Sequence, residues 1–333
     1  MNIIVPMAGR GKRMRPHTLT VPKPLIPVAG KPIVQHLVED LAGMCDEKID
    51  EIAFVIGDFG KEVEEDLIAV AESLGAKGKI CYQEEALGTA HAVLCAADSL
   101  KGNVIVAFAD TLFRADFKLD ASADGVIWVN QVEDPSAFGV VKLSNDNTIT
   151  DFVEKPTEFV SDLAIIGIYY FKDGENLRKE IEYLIDNDIK DKGEYQLTNA
   201  LENMKNKGLK FTPGPVIEWL DCGNKNSTVN TNQRVLANKN GSLPTHEPTV
   251  NQNSTVDGPC YFGKNVQLIN SKIGPYVSIG DNTIIRDSVI SNTIIQADSE
   301  ISNATITNSM IGNHVKYNGK AQELSIGDYS TQE

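Results

Sequence analysis

Basic side chains cluster near the start of a chain that is acidic overall. The sequence has 46 Asp and Glu against 31 Lys and Arg, which gives a formal charge of −15. No acidic residue occurs before Glu39, and six basic residues precede it: Arg10, Lys12, Arg13, Arg15, Lys23 and Lys31. A local positive region in a negative protein favours a small anion such as polyphosphate. A nucleic acid would need basic charge spread along a whole face, so that class of partner is not expected.

A glycine-rich turn lies within this basic region. It follows the apolar run Ile3–Val5, which is typical of a buried parallel strand, and it contains Gly9 and Gly11. Backbone N–H groups in such a turn, beside arginine and lysine, can bind phosphate. A dinucleotide fingerprint is excluded because Met14 replaces its third glycine, and a P-loop is excluded because Pro6 replaces its first. An ordinary basic loop between a strand and a helix remains the alternative.

A second segment presents a lysine from a stiff backbone. Pro22 and Pro24 flank Lys23 and restrict the backbone angles on both sides of it. The pattern Gly-x-Gly-Lys-Arg-Met-x-Pro, followed by Pro-Lys-Pro-Leu-x-Pro-Val, resembles the signature of the sugar-1-phosphate nucleotidylyltransferases. The glucose-1-phosphate thymidylyltransferase branch is the most similar. This family joins a nucleoside triphosphate to a sugar 1-phosphate and releases pyrophosphate.

The resemblance implies roles for the residues of this region. Arg13 and Lys23 are expected to be catalytic, with Arg13 on the β- and γ-phosphates and Lys23 on the transferred α-phosphate. The family usually has threonine at the position of Lys12. The implied nucleotide-binding loop is Ala8, Gly9, Arg10, Gly11 and Lys12.

Two carboxylates follow apolar strands elsewhere in the sequence. Asp110 ends the run Val104–Ala109, and Asp221 lies in Glu-Trp-Leu-Asp-Cys-Gly. Aspartate is also a common turn residue, so its position alone is not decisive. Two like charges at about 4 Å repel by roughly 4 kcal/mol at an effective dielectric of 20, so convergence on a triphosphate requires a divalent cation. The resemblance implies that Asp110 and Asp221 bind Mg²⁺ and that Asp110 is catalytic.

Two further segments resemble the substrate-recognition motifs of the family. In the segment from Tyr82 to His91, an amide side chain can form hydrogen bonds with the edge of a pyrimidine, and a glycine lets the base pack against the backbone. The implied base contacts are Gln83, Gly88 and Thr89. His91 is expected to be a packed helix residue. The Glu-Lys-Pro motif and two glycines imply a sugar-phosphate site, formed by Gly139, Glu154, Lys155 and Gly167. Phe138 and Asn199 replace the tyrosine and aspartate that are frequent in the family.

The elements that must position these residues alternate between strand and helix. The pattern predicts helices at 32–44, 61–73 and 89–97, with strands at 51–56, 79–83 and 104–109. After Gly125 it predicts strands at 126–132, 138–143, 149–154, 163–171 and 216–220, and helices at 174–187, 194–207 and 225–237. We therefore expect a Rossmann-like α/β domain with a mixed, mainly parallel sheet and ligands at the carboxyl ends of its strands.

The C-terminal part is periodic. Isoleucine recurs every five or six residues from Ile273 to Ile311, which indicates a parallel β-helix. Its left-handed form is implied by resemblance to hexapeptide-repeat proteins. The predicted domains are a catalytic domain at 1–238, a linker at 239–256, the β-helix at 257–320 and a tail at 321–333.

Composition limits the remaining classes. No stretch approaches the roughly 20 apolar residues of a membrane span, and the N-terminus lacks a signal-peptide pattern, so a cytoplasmic protein without a membrane partner is expected. The five scattered cysteines favour reduced thiols and do not support a zinc site. A homo-oligomer assembled through the β-helix is expected, in preference to acyl transfer by that domain.

The prediction is nucleotidylyl transfer to a sugar 1-phosphate, with dTTP and glucose 1-phosphate as the expected substrates. UTP- or GTP-using members of the family remain alternatives. A regulatory or scaffold subunit of the same architecture is an alternative of another class, although such a subunit would be expected to lose the charged site residues.

Overall fold

The computed structural model describes residues 1–9, 11–115, 119–239, 242–319 and 325–332. The chain divides into two compact units. Unit 1 comprises residues 1–9 and 37–219, and unit 2 comprises residues 10–36 and 220–333. We call residues 10–36 the leader. The domain ranges predicted from the sequence divide the chain differently and stay a prediction.

The first 238 residues contain most of the helices. The described helices are α1 (Ile33–Met44), α2 (Lys61–Ser73), α3 (Thr89–Leu94), α4 (Gly174–Asp186), α5 (Leu197–Asn206) and α6 (Lys225–Asn238). Short 3-10 helices span Lys12–Met14, Lys23–Leu25 and Ala97–Ser99. The described strands are β1 (Asn2–Pro6), β2 (Pro27–Val28), β3 (Lys31–Pro32), β4 (Glu51–Ile56), β5 (Lys77–Tyr82), β6 (Val104–Ala107), β7 (Thr111–Arg114), β8 (Gly125–Gln131), β9 (Gly139–Leu143), β10 (Ile149–Glu154), β11 (Leu163–Phe171), β12 (Phe211–Pro215) and β13 (Glu218–Asp221).

Unit 1 is built on one mixed sheet. Its strand order is β10-β9-β11-β6-β1-β4-β5, and β8 joins β11 to β12. β1 pairs in parallel with β4 and β6, so that Ile4 lies between Ala53 and Val106. β11 runs antiparallel to β6, β8 and β9. The β1 residues Ile3, Ile4 and Val5 are fully buried, which explains the unbroken apolar run at the start of the sequence.

The predicted elements of unit 1 are confirmed, with small shifts at their ends. The helix predicted at 61–73 and the strands predicted at 51–56, 149–154 and 163–171 have the observed bounds. The helix predicted from residue 194 begins at Leu197, and the strand predicted to residue 109 ends at Ala107. The pattern did not predict β7 or β12. The α/β fold with a mixed sheet is as expected.

The C-terminal part of unit 2 is a parallel β-helix. Its strands are β14 (Val250–Gln252), β15 (Thr255–Val256), β16 (Cys260–Phe262), β17 (Gln267–Ile269), β18 (Lys272–Ile273), β19 (Val277–Ile279), β20 (Ile284–Arg286), β21 (Val289–Ile290), β22 (Thr293–Ile295), β23 (Glu300–Ser302), β24 (Thr305–Ile306), β25 (Ser309–Ile311), β26 (Lys316–Asn318), β27 (Ser325–Ile326) and β28 (Thr331–Gln332). Among the described residues they form three parallel sheets. Successive coils thereby stack strand on strand, which confirms the parallel β-helix that the repeat predicted and is consistent with the left-handed form implied by the resemblance to hexapeptide-repeat proteins.

Repeated aliphatic residues fill the interior of this β-helix. Ile285 pairs with Ile301 on the next coil, and both side chains are buried in the same apolar cluster as Ile290. Burial of a side chain of this size stabilises a fold by about 1.5–3 kcal/mol. The recurring isoleucines are therefore the core of the domain.

Asparagine and aspartate occupy the corners of the coils. Asn265, Asn282 and Asp298 stand at equivalent corners with φ of 57°, 56° and 56°. These residue types tolerate the left-handed conformation better than other side chains that carry a Cβ. Their side chains also form a row of hydrogen bonds, in which Asn265 Nδ2 donates to Asn282 Oδ1 and Asn282 Nδ2 donates to Asp298 Oδ1, each at 2.9 Å. The polar residues between the isoleucines thus serve the turns.

The leader is short and irregular. Its strands β2 and β3 form a two-residue antiparallel pair, and its two 3-10 helices precede them. Within unit 2, α6 packs against β2 and against the β-helix strands β22 and β25. The leader therefore belongs to the same compact body as the C-terminal coils.

His17 is a buried polar residue of the leader. It is 1% exposed, and its Nε2 lies 3.1 Å from the hydroxyl of Ser325 in the last coil. No described group forms a hydrogen bond with its Nδ1. Burial lowers the pKa of His17 from its ordinary 6.5 to about 4, and the charge of Lys225 acts in the same direction while Asp328 opposes it.

All five cysteines are free thiols. Burial raises the pKa of Cys81, Cys95 and Cys260, which keeps these thiols protonated at neutral pH. No helix among the described ranges has the length and apolar character needed to cross a membrane.

The depressed pKa of His17 predicts a specific acid sensitivity. Between pH 6.5 and 4 the unfolded chain binds a proton at this residue that the folded chain does not, so stability falls as the pH falls through this window. The loss reaches about 3 kcal/mol. Chemical denaturation at several pH values should show a smaller loss for His17→Gln than for the wild type. Ser325→Ala should lose stability with falling pH as steeply as the wild type does, because burial is the main cause of the lowered pKa of His17. An equally steep loss in the wild type and in His17→Gln would contradict this account.

Candidate active site

In unit 1, the carboxyl ends of neighbouring parallel strands bring several predicted residues to one edge. Ala8 and Gly9 follow β1, Gln83 follows β5, and Asp110 is the third residue after the end of β6. The backbone N–H of Met7 donates to Val55 at 2.8 Å, and that of Gln83 donates to Ile56 at 2.8 Å, which fixes the loops as they leave the sheet. Such an edge is where ligands bind in open α/β sheets.

The side chain of Gln83 has a defined orientation. Its Nε2 lies 3.4 Å from the carbonyl oxygen of Gly88 and 3.1 Å from Nδ1 of His91. A carbonyl oxygen only accepts, so the amide nitrogen must face Gly88, and His91 Nδ1 must then accept as well. The carboxamide oxygen of Gln83 is left as the group that can meet a ligand. His91, expected to be a packing residue only, therefore also contacts the predicted base-reading amide.

Gly88 and Thr89 pack against, and hydrogen-bond to, the segment that leads into α5. Gly88 has φ of 118°, and a Cβ there would lie 2.5 Å from the carbonyl oxygen of Tyr195, so only glycine fits. The Thr89 hydroxyl donates to Gln196 at 3.1 Å and accepts from the Leu197 N–H at 2.9 Å. Thr89 thus holds the start of α5, and a contact with a base would use its backbone.

The predicted sugar-phosphate residues Gly139, Glu154 and Lys155 are close together. Glu154 Oε2 accepts from the Thr198 hydroxyl at 3.1 Å, and Lys155 Nζ lies 3.4 Å from the other carboxylate oxygen. A Cβ on Gly139 would lie 3.1 Å from the Glu154 carboxylate, so this glycine leaves room for the acid. Glu154 is 13% exposed and Lys155 46% exposed, so the ammonium group remains accessible to an anion.

Lys155 also has an unusual backbone. Its φ is 41°, in the left-handed region, although the following Pro156 favours an extended conformation at this position. The Lys155 N–H donates to Phe138 at 3.0 Å, and Lys192 Nζ donates to the Lys155 carbonyl at 2.8 Å. Such strained positions occur often at functional sites.

Tyr169 connects the sugar-phosphate residues to Asp110. Burial raises the pKa of Tyr169 above its ordinary 10, and the negative charges of Glu154 and Asp110 raise it further. Both carboxylates therefore act on the same phenol. Gly167, two residues earlier, has φ of 86°, and its carbonyl accepts from the Phe108 N–H at 2.9 Å next to Asp110.

In unit 2, Gly11 and Lys23 are packed against each other. Gly11 has φ of 56°, and a Cβ on it would lie 2.8 Å from Cβ of Lys23 and 3.1 Å from a methyl group of Thr18. The Thr18 hydroxyl donates to the Gly11 carbonyl at 2.8 Å. The glycine of the turn is therefore required by the fold of the leader, and it sets the backbone position of Lys23.

The basic residues of the leader differ in exposure. Lys23 begins a 3-10 helix and is 7% exposed, whereas Lys12 and Arg13 lie in the earlier 3-10 helix and are exposed. Met14, next to Arg13, is fully buried and anchors that helix. The predicted nucleotide-binding residue Arg10 lies outside the described residues.

Asp221 ends β13 and is held by its neighbours. Its Oδ1 accepts from the Gly223 N–H at 2.9 Å, and its carbonyl accepts from the buried Thr231 hydroxyl at 2.8 Å. In the described part of the chain, no group of three or more His, Cys, Asp or Glu side chains could hold a metal by itself. A carboxylate is nevertheless a suitable ligand for Mg²⁺, which is usually bound by one or two carboxylates together with substrate phosphates and water.

Sequence reasoning did not find Thr198 or Tyr169 and assigned His91 a packing role. Thr198 is separated from Glu154 by more than forty residues, so no local spacing reports their hydrogen bond. Tyr169 lies within an apolar strand, and nothing in the sequence distinguishes it from the other residues of that strand. His91 lies on α3, eight residues after Gln83, and this short separation in sequence was the one signal that could have indicated the contact.

Comparison with known proteins identifies the family of the chain. A family model for nucleotidyl transferases matches residues 2–238. The chain belongs to this family, and within it to the sugar-1-phosphate nucleotidyltransferases.

Individual relatives carry more than one name. The chain is 30% identical over 366 residues to a glucose-1-phosphate thymidylyltransferase of Streptomyces antibioticus, covering 100% of this chain and 99% of that protein. It is also 30% identical to the bifunctional protein GlmU of Methanococcus vannielii, covering 96% of this chain and 77% of the relative. The crystal structure of a UDP-glucose pyrophosphorylase with UDP-glucose aligns at a TM-score of 0.59 and 23% identity, over 71% of this chain and 98% of that one, which supports the fold.

The two glycines of the turn should respond differently to the same substitution. Gly11→Ala places a side chain in the left-handed region and against Lys23, so it should lower the free energy of unfolding by about 1–2 kcal/mol and reduce kcat/KM at least about tenfold. No described atom lies within 4 Å of a Cβ on Gly9. Gly9→Ala should therefore leave the free energy of unfolding within about 0.5 kcal/mol of the wild type. Chemical denaturation and steady-state kinetics of Gly11→Ala and Gly9→Ala check these expectations. Equal losses of unfolding free energy in the two variants would contradict the described turn.

Proposed function

We propose that this enzyme transfers a thymidylyl group from dTTP to glucose 1-phosphate. The proposal is supported by the leader motif and by the full-length similarity to a glucose-1-phosphate thymidylyltransferase. The observation that carries the discrimination against cytosine and adenine is the orientation of Gln83, whose carboxamide oxygen is left to accept from a ligand. Thymine and uracil have a ring N–H that can donate to this oxygen, and guanine has one as well. Cytosine and adenine present an acceptor at the corresponding ring nitrogen.

In this proposal the leader and the loop after β1 bind the triphosphate. The loop Ala8, Gly9, Arg10, Gly11 and Lys12 contacts the nucleotide, and Gln83, Gly88 and Thr89 contact the base. Arg13 neutralises the β- and γ-phosphates. Lys23 contacts the α-phosphate and stabilises the charge that develops there in the transition state. Gly139, Glu154, Lys155 and Gly167 form the sugar-phosphate site, in which Glu154 accepts sugar hydroxyls and Lys155 orients the phosphate.

The chemistry is an in-line displacement at phosphorus. A phosphate oxygen of the sugar 1-phosphate forms a bond to the α-phosphorus, the bond between that phosphorus and the α–β bridging oxygen breaks, and pyrophosphate leaves with the electron pair. The attacking oxygen is already ionised, so no general base is required. Positioning and charge neutralisation therefore supply most of the catalysis. Asp110 and Asp221 would hold Mg²⁺, which neutralises phosphate charge when bound.

The proposal extends to the setting of the enzyme. Its substrates are a nucleoside triphosphate and a sugar phosphate, and neither a nucleic acid nor a membrane is proposed as a partner. The five free thiols support a reducing, cytoplasmic compartment. We also propose a homo-oligomer that assembles through the β-helix.

A substrate screen tests the function directly. Pyrophosphate release is measured with dTTP, UTP, GTP and CTP against a few sugar 1-phosphates, with Mg²⁺ or with excess chelator. The expected result is Mg²⁺-dependent turnover, fastest with dTTP and glucose 1-phosphate. Turnover with UTP or GTP instead would favour those alternatives, and no turnover with any pair would favour a scaffold subunit.

In the same assay, Lys23→Ala should lower kcat/KM at least about tenfold, or about 1.4 kcal/mol, because its charge acts on the transition state. Lys31→Ala removes another leader lysine that has no assigned role, and its kcat/KM should stay within about twofold of the wild type. A smaller effect at Lys23 than at Lys31 would refute the role of Lys23.

His91 should determine base selectivity through Gln83. His91→Leu removes the acceptor that fixes the amide, so the ratio of kcat/KM for dTTP to that for CTP should fall about fivefold, as expected for a hydrogen bond worth about 1 kcal/mol. His91→Asn places a carboxamide oxygen near the former Nδ1 and should restore most of the ratio. A residue needed only for packing would change stability and leave the ratio unchanged, which would contradict the proposal.

A further inference from the structure

The leader contacts the last described coil of the β-helix. The His17 Nε2 and the Ser325 hydroxyl are 3.1 Å apart, and the Thr20 hydroxyl donates a short hydrogen bond to the carboxylate of Asp328. A Cβ on Gly327 would lie 2.9 Å from Cβ of Pro16, so the two backbones approach closely. These contacts follow directly after the 3-10 helix that carries Arg13.

A second junction holds the other end of the leader. The side chain of Asn232, on α6, is fully buried, and its Oδ1 accepts from the Ala29 N–H at 2.8 Å and from the Ser278 hydroxyl at 2.7 Å. Its Nδ2 lies 3.4 Å from the carbonyl oxygen of Tyr276. One carboxamide thereby connects the leader, α6 and the β-helix. Buried amides with their bonding capacity filled fix a single arrangement of the groups around them.

The β-helix also packs directly on the leader beside this junction. Gly30 has φ of 85°, and a Cβ on it would lie only 2.1 Å from the ring of Tyr261. The tyrosine ring therefore occupies the space in which any other residue at position 30 would place its side chain. This contact and the Asn232 junction both follow the Lys23 segment in the chain.

Lys23 lies between the two anchored ends. Its backbone is packed against Gly11, and Met14 is buried, with its sulfur 3.6 Å from the hydroxyl of Thr228 on α6. In its described residues, 11–36, the leader has one two-residue strand pair, so its shape depends on these external contacts. A side chain that stabilises a transition state must be held to within a fraction of an ångström, which an unsupported loop of this length does not achieve.

We propose that the β-helix is a positioning element for nucleotidyl transfer, with Ser325 and Asp328 of its last coil holding the leader segment that carries Arg13 and Lys23. The inference rests on the roles proposed above for these two basic residues. It gives the β-helix a part in catalysis that is separate from assembly or acyl transfer.

The double variant Ser325→Ala with Thr20→Val tests this proposal in the full-length protein. It removes both hydrogen bonds between the leader and the last coil and changes neither Arg13 nor Lys23. We expect kcat for nucleotide-sugar synthesis to fall five- to tenfold, while KM for the sugar 1-phosphate stays within twofold. We also expect faster amide hydrogen exchange in the peptide from Gly11 to Leu25, with the peptides of unit 1 unchanged.

Two control variants separate this effect from a general loss of stability. Thr20→Ser retains the hydroxyl that bonds to Asp328 and should behave as the wild type. Asn270→Ala removes an amide that donates to Asp287 at 3.2 Å elsewhere in the β-helix, and it should leave kcat and the exchange of the leader unchanged.

Wild-type kcat and wild-type exchange in the double variant would overturn the proposal, as would an equal loss in Asn270→Ala. Hydrogen exchange needs no substrate. It therefore tests whether the last coil stabilises the leader even if the substrate screen finds no activity. The proposed function and the proposed role of the β-helix can thus fail separately.

Discussion

A strongly acidic chain that binds a triphosphate must keep its own carboxylates away from the phosphates, except where a cation can lie between them. This constraint explains the distribution of charge in the sequence. The leader contains no acidic residue, and all 46 acidic residues of the chain come after it. Of the two carboxylates proposed to bind Mg²⁺, Asp110 follows the inner strand β6 and Asp221 is the last residue of β13.

Burial of Lys23 follows from the same constraint. An exposed lysine is surrounded by water and by mobile acidic side chains that compete for its charge, whereas Lys23 is 7% exposed and lies in a stiff, proline-flanked segment. Its electrostatic effect on a phosphate is larger where water is excluded. The energy needed to bury it is supplied by packing, of which the contact with Gly11 is one part.

The fold was largely predictable because its hydrophobic patterns are strong. The strand Glu51–Ile56 and the helix Lys61–Ser73 have the bounds that their periodicity indicates, and the recurring isoleucines revealed the β-helix. β12 was not predicted because Pro213 and Pro215 argue against a strand. They are tolerated because, in the described sheet, β12 pairs with β8 alone and lies at an edge. Helix α5 begins later than predicted because the backbone of Tyr195 is hydrogen-bonded to Leu87 and Ala90 and so stays extended.

The candidate site was predictable only as a set of residue types. The motifs indicated Gln83 and Glu154, but nothing near them in sequence shows that His91 orients one and Thr198 bonds to the other. Gly11 was predicted to belong to a phosphate-binding turn, and the structure shows in addition that the absence of a side chain there leaves room for Lys23. Contacts of this kind depend on tertiary packing, which local patterns do not encode.

The ribosome synthesises the leader long before the residues that bind it in the folded protein. Its hydrogen-bond partners Asn232 and Ser325 are synthesised some two hundred and three hundred residues after it. The strands and helices of unit 1 can associate as they emerge, but the leader must wait for the last coil. A ribosomal product that stops before that coil would therefore contain every residue assigned to the active site and still lack part of the support that gives the leader its shape.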